Sequence, residues 1–188
     1  MNIKIIIPAC FVEKLKQKAR KLKNKSGISH HEALNQVAQS AGFNHWHHVA
    51  EIATNTAITE DAYRHGFIAT YEGSVSDVDS DFLVKDDLAS HFYSDQLWWL
   101  YLTGVSQDPE LQDITEEEHC EVFDEYLRSL AFFRYTGNEI PKTVEEALNF
   151  ITECNFWSPV WVSIKGQIYN TYGAAAKDGD GNFLGVRL

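Results

Sequence analysis

Cysteine is scarce in this 188-residue chain: Cys10, Cys120 and Cys154 lie far apart and are odd in number. That excludes a disulfide scaffold, and no pair has the C-x-x-C spacing of a zinc or redox site, so three reduced thiols in the cytoplasm are expected. Long apolar runs are also missing. The stretch from Ile3 to Ile7 is too short for a signal-peptide core, and Pro8 with a lysine-rich segment stands where a cleavage region belongs. The run Leu97 to Leu102 falls far short of the ~20 apolar residues that span a bilayer, so no membrane partner is expected. Catalytic signatures are absent as well: there is no G-x-S-x-G, no phosphate-binding glycine loop, no dinucleotide fingerprint and no H-E-x-x-H. Cys120 follows His119 directly, but neighbours on a helix point apart and make no dyad. No catalytic residue and no cofactor can be named.

What is present is ample for folding, with 44% hydrophobic and 13% aromatic residues. The formal charge of −11 hides a division. Residues 1–50 hold eight Lys/Arg and two acids, a net of +6, whereas residues 51–188 hold eight Lys/Arg and 25 acids, a net of −17. Such asymmetry points to separate surfaces, which either attract each other or meet outside partners of opposite charge.

Punctuation along the chain predicts an α+β fold. A basic helical module over 1–53, a short strand plus three helices, precedes an acidic body over 54–188, mainly helical with a small C-terminal antiparallel sheet. The β-branched run Asn2 to Ile7 reads as a strand ended by Pro8. A helix then buries Phe11, Val12, Leu15, Ala19 and Leu22 up to Gly27. Ser29 and Glu32 have capping-box spacing for a second helix, which Gly42-Phe43 ends. Asn44 is placed to cap a third, carrying Trp46, Val49, Ile52 and Ala53 inward. The polar stretch 54–59 is the expected linker. Helices are then expected from Thr59 to about Tyr71, over Asp87 to Leu102, from Thr115 through Leu130, and from Thr143 to about Cys154. The acidic stretch from Glu72 to Asp81 reads as a loop. Lys165-Gly166 marks a hairpin, and Asp178 to Asn182 a second turn before a last strand in the same sheet.

From Lys14 to about Val49 the text combines a basic helix, Ser29-His30-His31, the helix Ala33-Leu34-Asn35-Gln36-Val37-Ala38, then Gly42-Phe43 and Trp46. This pattern resembles a small domain of bacterial and plasmid proteins described as glyoxalase-related. The resemblance covers about a fifth of the chain. It implies a helical accessory module of bacterial or mobile-element origin, and carries over no catalytic residue.

Two sets of side chains in the module invite chemistry. Lys14, Lys18, Lys21 and Lys25 form a stripe suited to phosphates, or else a solvated helix face. His30, His31, His45, His47 and His48 crowd together; His45 and His48, three apart, with His30 from the neighbouring cap, are the candidate metal ligands, against a reading as helix-end histidines. The helix-Gly-helix pattern invites comparison with a helix-turn-helix, yet the third helix offers no Arg, Lys or Gln for base edges. Asp178 to Asn182 opens like a calcium loop but lacks its glycine and terminal glutamate, and reads as a turn. The expected function is that of a non-enzymatic interaction protein binding a protein or nucleic acid through Lys14, Lys18, Lys21, Lys25, His45 and His48. The alternatives are an inhibitor that mimics nucleic acid with its acidic body, and an enzyme with a histidine-based metal site.

Overall fold

Two left-handed glycines punctuate the first third of the chain in the computed structural model, which describes residues 5–73, 81–105, 113–154, 158–171, 176–177 and 183–184. Helix α1 (Ala9–Ser26) stops at Gly27, φ 67°, whose N–H donates to the Lys23 carbonyl. Helix α2 (His30–Ser40) starts at Ser29, whose hydroxyl accepts the Glu32 N–H at 3.1 Å. It ends at Gly42, φ 88°. The N–H groups of Gly42 and Phe43 donate to the carbonyls of Gln39 and Ala38, the paired bonds of a Schellman close. Phe43 folds back onto a core of Ile7, Leu15, Ala19, Ala33, Val37, Ala38 and Val49. Its alanines let α1 and α2 approach closely.

Helix α3 (Trp46–His65) overturns the linker expected at 54–59. One helix runs through that stretch and ends before Phe67, whereas the helix expected from Thr59 was to continue to about Tyr71. Thr56, Thr59 and Glu60 are buried, at 0%, 2% and 7% exposure. Thr56 Oγ1 accepts the Ile7 N–H at 3.2 Å, and the Glu60 carboxylate accepts the Ala9 N–H at 3.0 Å. Pro8 gives α1 no side-chain cap, so a carboxylate 51 residues away satisfies one of its free donors. Residues 5–8 have no strand partner among the described residues, and residues 2–4 of the expected strand lie outside them. The chain divides into two compact units between Glu60 and Asp61, some residues later than the expected boundary. Glu60→Ala is expected to cost the first unit about 1–2 kcal/mol, the range of a lost N-cap, with Glu60→Gln retaining most of it. Thermal unfolding followed by circular dichroism would show this as a lowered midpoint for Ala alone.

The second unit is built on β1 (Phe67–Glu72), β2 (Leu83–Lys85), α4 (Ala89–Val105), α5 (Glu116–Ser129), β3 (Leu130–Tyr135), α6 (Val144–Cys154), β4 (Trp161–Ile164) and β5 (Gln167–Asn170). The strands form an antiparallel sheet in the order β2-β3-β1-β4-β5. The α+β class therefore holds, but the central strand β1 lies where the end of a helix was expected, and its neighbour β3 starts on Leu130, the last residue of another expected helix, and runs on where no element was expected. On one face, Phe67, Ala69, Tyr71, Phe133, Val162 and Ile164 pack against Ala147 and Ile151 of α6. On the other, Ile68 and Phe132 pack against Tyr93 and Leu97 of α4 and Phe123 of α5. Helix α5 opens with a complete capping box between Thr115 and Glu118, whose carboxyl is held below its usual range by the Thr115 N–H and hydroxyl. The β4–β5 hairpin turns as expected on Lys165 and Gly166, φ 51° and 80°, the paired positive values of a type I′ turn. Strands β6 (Ala176–Lys177) and β7 (Phe183–Leu184) pair with each other in a separate sheet instead of joining the larger one. The turn at 178–182 between them, and residues 74–80 of the acidic stretch, lie outside the described residues. No described helix is long and apolar enough to cross a membrane.

Candidate functional site

Helix α1 carries Lys14, Lys16, Lys18, Arg20, Lys21, Lys23 and Lys25 against one acid, Glu13. At 100° per residue, Lys14, Lys18, Lys21 and Lys25 fall on one flank beside the buried Leu15–Ala19 seam, over a rise of ~16 Å. All four are exposed. Lys16 bonds Glu13 at 2.7 Å, and that ammonium holds the Glu13 carboxyl below its usual range. Among the described residues the four stripe lysines form no ion pair. The four therefore share one exposed flank of α1, with Lys16, Arg20 and Lys23 on the other.

Two of the histidines make contacts that shape the fold. His45 stands just before α3, and its Nδ1 accepts the His48 N–H at 3.1 Å, so it is the helix cap that was expected of Asn44. His48 turns inward, edge-on to Phe43 with ring centroids 5.9 Å apart. His30 is an exposed first-turn residue of α2. Among the described residues no three His, Cys, Asp or Glu side chains converge as metal ligands, so His30, His45 and His48 are not brought together as a site. Asn35, which the sequence reading passed over, joins the two helices: its Oδ1 accepts the Trp46 N–H at 3.0 Å. An asparagine inside a helix carries no local signal for such a bond.

Polar groups buried in the second unit serve its packing. Asp86, at 8% exposure, takes the Arg134 Nε at 3.1 Å and the Leu88 N–H at 3.1 Å, tying β3 to the turn before α4. Gln96 Nε2 donates to the Tyr63 hydroxyl at 2.6 Å and to the Gly166 carbonyl at 3.1 Å, anchoring α4 to the hairpin turn. His119 faces Tyr101, Nδ1 to hydroxyl 3.0 Å, and Cys120 is exposed. A surface hollow of about 710 Å3 lies over residues 138–150, but the Glu146 carboxylate there is occupied by the Lys142 N–H at 2.7 Å.

Among the described residues Tyr93 is the most perturbed titratable group. Burial pushes its phenol well above the ordinary value, and the Ser163 hydroxyl beside it offsets only part of this. Neither hydroxyl reaches a partner within hydrogen-bond geometry among the described residues. An unfolded phenol loses its proton near pH 10 while the folded one keeps it, so the native state binds more protons there and loses stability as pH rises further. Tyr93→Phe is expected to flatten that alkaline decline and to leave stability at pH 7 unchanged or about 1 kcal/mol higher, since it removes an unsatisfied buried hydroxyl. Urea midpoints measured from pH 8 to 11 would check both.

No family model, no curated protein and no solved structure matches this chain.

Proposed function

We propose that this chain is a non-enzymatic nucleic-acid-binding protein whose contact surface is the lysine flank of α1. One observation carries the reading: four exposed lysines in a line of ~16 Å with no carboxylate partner among the described residues. A linear polyanion bearing a charge every ~3.4 Å per strand matches such a line better than the scattered carboxylates of a protein surface do. Exposed, unpaired Cys10 and Cys120 suit a reducing cytoplasm.

Fluorescence polarisation of the whole protein with labelled 20-mers tests the reading. Four phosphate contacts give a slope of about −3.6 in log K against log salt, a loss of ~10²-fold in duplex affinity between 50 and 200 mM. No binding at 50 mM would overturn it. A second reading, mimicry of nucleic acid, draws on α5, where Glu116, Glu117, Glu118, Glu121, Asp124 and Glu125 are all exposed. Mimicry predicts the opposite result: no oligonucleotide binding, and displacement of DNA from a cationic enzyme.

A further inference from the structure

We infer that a groove between the starts of α2 and α3 holds one unstacked base of a single-stranded nucleic acid. This deepens the reading above and rests on it for the class of partner. The groove has a volume of about 500 Å3 and is lined by His31, Asn35, His45, Trp46, His47 and Ala50. Four of those six side chains are rings, and none is an acid. His45 and His47 stand near-parallel, centroids 6.1 Å apart and planes at 24°. Both are exposed, so their faces are open to a further planar group.

Part of the platform is set before any ligand arrives. The His48 N–H fixes the His45 ring through Nδ1, and Asn35 Oδ1 fixes the backbone that carries Trp46. Stacking on a preset platform loses little side-chain entropy on binding. A polar edge is available as well. Asn35 Nδ2 and His31 Nδ1 lie 3.4 Å apart, a weak contact that leaves an amide N–H and the imidazole available to the edge of a base while Oδ1 stays on the Trp46 N–H. The surrounding unit, residues 1–60, has eight Lys/Arg and four acids, so its net charge of +4 attracts the backbone of such a strand. Bases within a duplex are stacked and paired and cannot enter, whereas a single strand offers its π-faces freely.

His47→Ala in the full-length protein separates this groove from the lysines. His47 is exposed and caps nothing among the described residues, so the variant is expected to fold. Affinity for a 20-residue oligothymidine is expected to fall roughly tenfold, within the range measured for one stacked base, with duplex affinity unchanged. Equal loss on both substrates, or no loss on the single strand, would overturn the inference. A second measurement keeps it testable if no polymer binds. Adenosine 5′-monophosphate is expected to shift the amide and indole resonances of His31, Asn35, Trp46 and His47 in ¹H–¹⁵N spectra, and ribose 5-phosphate to leave them unmoved. Shifts with adenosine monophosphate and no polymer binding would reject the lysine surface and keep the groove; silence at those four residues would reject the groove whatever the lysines do.

Discussion

Changing Lys14, Lys18, Lys21 and Lys25 together to glutamine is expected to lower duplex affinity ~10³-fold at 100 mM salt and to bring the salt slope close to zero. Each lysine that neutralises a phosphate releases about 0.9 of a counterion, so four removed contacts take about 3.6 from the slope. The fold should tolerate the change. All four side chains are exposed and without ion pairs among the described residues, and glutamine matches lysine in helix propensity. An unaltered circular dichroism spectrum is the control. Changing Lys16, Arg20 and Lys23, on the other flank of α1, is expected to have a smaller effect, because a rod presents one flank at a time to a linear partner. If the four-lysine variant keeps the wild-type slope, the stripe is a solvated face and the nucleic-acid reading falls.

The stripe was legible because helix period and exposure can both be read from local sequence. Gly27, Ser29 and Gly42-Phe43 bound the helices, and lysines three and four apart beside Leu15 and Ala19 can only line a flank. What failed depends on distant partners. Thr56 looks like a linker residue, and Glu60 like an exposed acid at a helix start, until Ile7 and Ala9 are seen donating to them. The His45 cap and the Asn35–Trp46 bond are likewise invisible in spacing, which is why the aromatic groove was missed and its histidines were weighed as ligands. The inner strands β1 and β3 were misread for another reason. A strand covered on both faces loses the alternation of polar and apolar residues, so Phe67 to Tyr71 read as the apolar end of a helix, and Leu130 to Phe133 as the last apolar residue of another followed by a run with no assigned element. The edge hairpin β4–β5, by contrast, has Lys165-Gly166 to mark it.

Phe132→Ala and Phe133→Ala test that correction, and each is expected to cost the second unit about 3–5 kcal/mol. The two are adjacent in sequence and buried at 3% and 1% exposure, yet they belong to different cores. Phe133 meets Tyr71 edge-on, centroids 5.6 Å apart, on the α6 face. Phe132 stacks on Tyr93, centroids 5.8 Å apart, on the α4–α5 face. Because no core is shared, each truncation opens its own cavity, and neither cost should depend on the other residue as it would for two neighbours in one cluster. Against a total stability of about 5–15 kcal/mol for a domain, either loss is a large fraction, and the double variant is expected to be unfolded at 25 °C. Phe133→Leu, which keeps most of the volume, should cost about 1.5 kcal/mol or less. Urea unfolding followed by tryptophan fluorescence, to which Trp98 and Trp161 of this unit contribute, gives both midpoints and slopes. If either alanine variant loses less than ~1 kcal/mol, that side chain faces solvent as it would on the outer side of a helix, and a strand buried on both faces at Leu130–Tyr135 is wrong.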